Sequence, residues 1–185
     1  QPAGDADGDG LPDAWELQVG LDPLSAAGAD GALGDPDGDG LVNRDELASG
    51  SHPRGFVTRY FAEGATGPFF DVRFAVFNAS ARPARIVMRF STTAGATLRH
   101  AFVLPAGGRT EVDPETLPGL DNTAFSTVVE ADTRIAVDRT MLWDRRHYGS
   151  HAEGGIESPS TQWFFAEGAT HSGFQLFYLL QNPNP

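Results

Sequence analysis

Asp5, Asp7, Asp9, Asp13 and Glu16 occupy positions 1, 3, 5, 9 and 12 of a twelve-residue run, and Asp35, Asp37, Asp39, Asn43 and Glu46 occupy the same positions thirty residues later. Position 6 is glycine in both runs (Gly10, Gly40), where a side chain would obstruct the tight turn, and position 7 (Leu11, Leu41) needs only its carbonyl. Three aspartates at alternate positions repel one another unless a cation sits between them. The spacing wraps roughly six to eight oxygens around a hard ion, which points to calcium and to two such ions. Glu16 and Glu46 are expected to close the sites as bidentate ligands, Leu11 and Leu41 to give carbonyls, and Asp13 and Asn43 to bind directly or through water.

The loops are positioned by a longer repeat. Asp5–Pro23 aligns with Asp35–Pro53 through Gly8/Gly38, Leu11/Leu41, Leu17/Leu47, Gly20/Gly50 and Pro23/Pro53 as well as the acidic positions. Each unit reads as loop, short helix and stop, because Gly20 and Gly50 suit a helix C-terminus and the prolines three residues on forbid continuation. This pattern resembles the thrombospondin type 3 repeats of secreted proteins and, more loosely, dockerin loop–helix units, over about the first 53 residues. Two departures narrow the resemblance. No helix is expected to enter either loop, and Pro12 at position 8 has no N–H for the strand pairing of paired EF-hands, which disfavours a sensor that opens a groove. The exit helices carry Ala14-Trp15 and Arg44-Asp45 where a dockerin uses small hydroxyl residues, so cohesin binding is not expected.

Residues 1–52 hold twelve acids against Arg44 alone, whereas the rest of the chain is nearly balanced, so the net charge of −12 is local. Acidity confined to ligand positions argues against nucleic-acid binding. Cysteine and lysine are both absent, which excludes disulfides, thiolate metal sites, Schiff-base chemistry and a phosphate-loop lysine. No stretch reaches the roughly 20 apolar residues of a membrane span. No signal peptide is apparent, and the chain reads as mature from Gln1 or as a piece of something longer. The first 53 residues have too few apolar side chains to fold alone; metal must shape them, with Trp15 and Val19 docking on the other repeat or the next domain. An extracellular or cell-surface location is expected.

From Arg54 the pattern alternates. Phe70, Val72, Phe74 and Val76 share one face with Asp71 and Arg73 opposite; Ile86, Met88 and Phe90 alternate with Arg85 and Arg89; Ile135, Val137, Met141 and Trp143 alternate with Asp138 and Thr140. With Arg59–Ala62, Thr97–Leu104, Arg109–Val112 and Phe125–Glu130 these give about seven short strands. The fold class is therefore mainly β: an immunoglobulin-like β-sandwich over residues 54–161, without the hallmark cysteines, preceded by the calcium-stabilised loop–helix segment 1–53.

A second repetition follows. Tyr60-Phe61-Ala62-Glu63-Gly64-Ala65-Thr66 returns as Phe164-Phe165-Ala166-Glu167-Gly168-Ala169-Thr170, and Phe70, Val72, Phe74, Val76 as Phe174, Leu176, Tyr178, Leu180, with Asn78 matched by Asn182. Residues 56–185 resemble a bacterial secreted repeat whose copies open on this aromatic-Phe-Ala-Glu-Gly-Ala-Thr element. Residues 162–185 thus read as the first strands of a second sandwich. They belong to a longer array, complete the first sandwich, or are donated to a neighbouring copy, which would build a filament. Glu63 and Glu167 read as structural members of the motif.

Catalysis finds little footing. His147 and His151 are four apart, but Gly149 between them opposes a zinc-binding helix; Ser150 beside His151 lacks a placed carboxylate and a nucleophile elbow. Asn78-Ala79-Ser80 matches a glycosylation triplet. The chain reads as a non-catalytic structural module whose partners are copies of itself or further tandem repeats. The alternative is an adhesin or ancillary module that binds a glycan or a cell-surface protein, with Trp143, Tyr148 and Trp163 as candidate contacts.

Overall fold

The computed structural model describes residues 4–144, 149–166, 168–173 and 175–183. Two seven-residue helices, α1 (Asp13–Val19) and α2 (Asn43–Ser49), precede eight strands: β1 (Val57–Phe61), β2 (Phe70–Asn78), β3 (Ala84–Thr92), β4 (Thr97–Leu104), β5 (Arg109–Val112), β6 (Phe125–Ala131), β7 (Ile135–Trp143) and β8 (Gly149–Glu153). Gly20 and Gly50 end the helices in the left-handed conformation, at φ 83° and 76°, each donating its N–H back to Glu16 or Glu46. No helix enters either loop among the described residues.

The strands form two antiparallel sheets, ordered β1-β6-β3-β4 and β5-β2-β7-β8. Between them lies one core, in which the alternating sets predicted from sequence meet: Val72, Phe74 and Val76 face Ile86, Met88 and Phe90 across the sandwich. Phe61 and Phe74 meet edge to face at 5.3 Å, as do Phe90 and Phe125 at 5.4 Å. The mainly β sandwich behind a small helical segment is what the sequence implied. The eighth strand, β8, goes beyond the seven that alternation marks: the histidine-bearing stretch pairs with β7 in the register Met141↔His151. Beyond it, Ile156 exchanges backbone hydrogen bonds with Tyr60 and covers the β1 edge.

The β1-β6-β3-β4 sheet is covered on both faces. Val87 and Val128 point away from the core yet are 1% and 5% exposed. The loop–helix segment packs over this outer face, with α1 against β3, Gly20 beside Arg85 and Gly50 beside Arg99. Within the segment, Leu11, Trp15, Val19, Leu21 and Ala32 form a second small core. Trp15 and Val19 thus dock within the repeat segment, and Leu11 contributes its side chain there.

Asn78 is not placed to accept a glycan. It is fully buried, its Nδ2 donates to the carbonyls of Arg82, Leu104 and Pro105, and its Oδ1 accepts from Ser80. The triplet is a loop staple.

No described residue from 162 onward belongs to a strand. Phe164, Phe177 and Leu180 are 85%, 74% and 79% exposed. Glu167 and Phe174 lie outside the described residues, as do His147 and Tyr148. A strand pair with no further strand to pair with is marginal in water.

Candidate metal centre

Both loops wind by the same internal hydrogen bonds. Asp5 accepts the N–H groups of Gly8 (2.8 Å) and Gly10 (3.3 Å), and Asp35 those of Gly38 (2.8 Å) and Gly40 (3.1 Å). Asp9 accepts Leu11 N–H and Asp39 accepts Leu41 N–H, both at 2.8 Å. Gly10 and Gly40 have φ of 100° and 96°, which explains glycine at position 6. The winding brings one carboxylate oxygen from each of Asp5, Asp7 and Asp9 within 4.8 Å of one another, and likewise for Asp35, Asp37 and Asp39.

The helices bring the remaining oxygens in. Glu16 and Glu46 lie in the first turns of α1 and α2 and are fully buried, yet neither oxygen of either carboxylate has a hydrogen-bond partner. Asp7 Oδ2 and Asn43 Oδ1 are orphaned in the same way. Asn43 is aimed by its own amide, whose Nδ2 donates to the carbonyls of Ala29 (2.9 Å) and Gly31 (2.8 Å). Asp13 keeps one oxygen on Ala6 N–H at 2.8 Å. Burial, then the surrounding aspartates, drives the Glu16 carboxyl up to about 7. Burial, then Asp37, Asp39 and Glu130, drives Glu46 up to about 8. Buried anionic oxygens without donors are costly, and a divalent cation is the group that satisfies them together. The donor set is all oxygen, as calcium requires, so the residues fit the ion that the spacing implied.

Two further acidic clusters among the described residues are paired with arginine. Asp71, Asp113 and Glu115 form a third cluster, not singled out from sequence, but Arg73 binds Asp71 at 2.9 Å and also Asp113. Glu63 belongs to an ion cluster around Arg139, a fully buried β7 residue that meets the carbonyl and carboxylate of Glu63, Glu153 at 3.1 Å and His151 at 2.6 Å. His151 is thereby tied to Arg139 and Glu63, 3.1 Å from the latter, with no serine in the arrangement. The signal for Arg139 in the sequence is strand alternation, which puts it on the inner face of β7. Gly64 of the same motif lies where a Cβ would come within 2.4 Å of the Phe125 ring. The first copy of the motif is thus a packing device. Of the candidate glycan contacts, Trp143 is half-buried against His151 and Trp163 is 46% exposed.

Two solved structures are similar to parts of this chain. The crystal structure of Thermotoga maritima 1070 is similar over 55% of this chain and 94% of its own, with a TM-score of 0.51 and 13% identity, a likeness of fold alone. The Anabaena sensory rhodopsin transducer is similar over 44% of this chain and 90% of its own, with a TM-score of 0.40 and 20% identity. No curated protein compared with the chain matches it. No helix among the described residues is long and apolar enough to cross a membrane. Residues 5–26 and 35–53, which carry both loops and both helices, match the family model of the bacterial TSP3 repeat, a calcium-binding, structural family that is typically extracellular.

Proposed function

We propose that this chain is a non-catalytic, calcium-stabilised structural module of an extracellular or cell-surface protein. Two ions shape the first 53 residues, one held by Asp5, Asp7, Asp9, Leu11, Asp13 and Glu16, the other by Asp35, Asp37, Asp39, Leu41, Asn43 and Glu46. The observation that carries the reading is the pair of buried glutamates, Glu16 and Glu46, whose four oxygens have no other partner. Calorimetric titration with calcium tests it: two ions per chain are expected, and one for each of Asp7→Ala and Glu46→Ala. Absence of calcium binding to the unmodified chain would refute it. The affinity expected is of order 10⁻⁴–10⁻³ M, as for other extracellular modules.

The exposed tail favours a self-associating role within that reading. Its motif copies the β1 element, and Phe164, Phe177 and Leu180 stand mostly exposed. Residues 162–185 then act as the opening strands of a further sandwich, supplied by a tandem repeat or by a neighbouring copy, and donation from copy to copy would give a filament. Sedimentation of the chain against its Phe177→Asp/Leu180→Asp variant tests donation. Concentration-dependent association that the variant abolishes supports it, and monomers throughout speak against it. The glycan-binding alternative draws nothing from Trp143, which is committed to packing.

A further inference from the structure

The two loops do not end at their own ligands. In the first, Asp9 Oδ2 accepts the N–H of Ala32, in the turn that leads to the second loop, at 2.6 Å. In the second, Asp37 Oδ2 accepts the N–H of Gly55, in the strap that leads to β1, at 2.7 Å. Each cage is therefore braced by a backbone amide of the unit that follows it. The brace of the second cage is anchored in the sandwich. Ser51 and His52 of the strap are 2% and 1% exposed, and His52 donates its N–H to Glu130 Oε2 at 3.1 Å. Glu130 projects from β6 onto the outer face, is 7% exposed and is fixed by Arg89 at 2.7 Å. The single Gly55 N–H is shared between Asp37 and the His52 carbonyl, 2.8 Å away, so Glu130, His52, Gly55 and Asp37 are linked through one bifurcated donor. A Cβ at Gly55 would lie 3.0 Å from the His52 carbonyl and 3.2 Å from Asp37 Oδ2, which shows how closely the strap crosses the loop.

We infer that Glu130 is a positioning residue for the second calcium site, acting through His52 and Gly55 on Asp37, so that the sandwich sets the affinity of that site and not of the first. The inference rests on the reading of both loops as calcium sites. An outer partner that orients a ligand typically changes metal affinity by about 10- to 100-fold. Linkage makes the effect reciprocal: the ion tightens the strap on the sheet by the same factor by which the docked strap tightens the ion. The first site touches the sandwich through α1 but is braced at Asp9 by Ala32, so no strap joins it to Glu130 and it has no share in this chain of hydrogen bonds.

The test is a calcium titration of the full chain followed by amide resonances, with Gly10 reporting the first loop and Gly40 the second. Glu130→Ala is expected to move the Gly40 midpoint to about tenfold higher calcium and to leave that of Gly10 in place. Glu130→Gln keeps an acceptor oxygen for His52 N–H and recovers most of the loss. In the unmodified chain, the slowing of Gly55 amide exchange is expected to follow the Gly40 curve, a measurement that stands even if the alanine variant fails to fold. An unmoved Gly40 midpoint, parallel shifts of Gly10 and Gly40, or Gly55 exchange indifferent to calcium would each overturn the inference. Failure of both glycines to respond in the unmodified chain would instead overturn the calcium reading itself.

Discussion

Without calcium, the first 53 residues should become less stable as the pH rises, because the fold itself raises the carboxyls of Glu16 and Glu46. Each rests near 4.5 as a free side chain and is driven to about 7 and about 8 in the fold, first by burial and then by neighbouring acids. Between those values the folded form binds protons that the unfolded form has released, so stability is lost as pH climbs from roughly 4.5 through 7 to 8. A tenfold change in proton affinity corresponds to about 1.4 kcal/mol, which bounds the cost for Glu46 at about 5 kcal/mol, and water around half-buried Asp37 and exposed Asp39 brings it below that. For Glu16 it is below about 3 kcal/mol, because Asp7 and Asp9 beside it are only half-buried and water screens their repulsion. Losses of that order rival the whole stability of a small domain, roughly 5–15 kcal/mol. The assay is Trp15 emission in a Trp143→Phe/Trp163→Phe background, since Trp15 is 8% exposed in the segment's own core. In chelator, emission should be that of a buried indole at about pH 5 and of a solvated one at about pH 8, and calcium at the higher pH should restore the first. Emission in chelator that is the same at both pH values, or that reports more exposure on acidification, would refute the argument.

Glu46→Gln removes that burden together with a calcium ligand, so in chelator near pH 8 it should resist trypsin at Arg44, the single basic residue of positions 1–52, better than the parent, and in calcium worse. Gly64→Val drives side-chain atoms into the Phe125 ring and should cost about 1–3 kcal/mol in a denaturant melt of the sandwich, with the calcium midpoints unchanged. Glu63→Ala should destabilise the sandwich by about 2–4 kcal/mol in the same melt, since Arg139 is buried, whereas Glu153→Ala, at a half-exposed carboxylate that water replaces, should cost under about 1.

The loops are legible in the sequence because every constraint on them is local. A cage closed within twelve residues must show its oxygens, its position-6 glycine and its terminal glutamate in one short run, and Gly20 and Gly50 mark helix ends for equally local reasons. The sandwich is legible through period two: Phe70 to Val76 and Ile86 to Phe90 declare which side is apolar. That same rule places Arg139 on the inner face beside Val137 and Met141, but an arginine does not read as core. Its partners Glu63, Glu153 and His151 come from positions 76, 14 and 12 residues away, and no spacing rule joins them.

The outer face of the β1-β6-β3-β4 sheet is illegible for a further reason. Alternation distinguishes an apolar side from a polar one, but Val87 and Glu130 are Cα partners on neighbouring strands and share the outward side. A valine and a glutamate together read as solvent-facing. Their burial follows from what lies on top of them, and that cover comes from the loop–helix segment, distant in sequence. Glu130 can remain there because Arg89 and the His52 N–H satisfy its oxygens; around Glu46, burial and then Asp37, Asp39 and Glu130 push the carboxyl upward, and the Ser51 hydroxyl offsets them only in small part. The contrast separates the two roles chemically. A buried carboxylate furnished with donors belongs to the scaffold, and a buried carboxylate denied them marks where a cation is required.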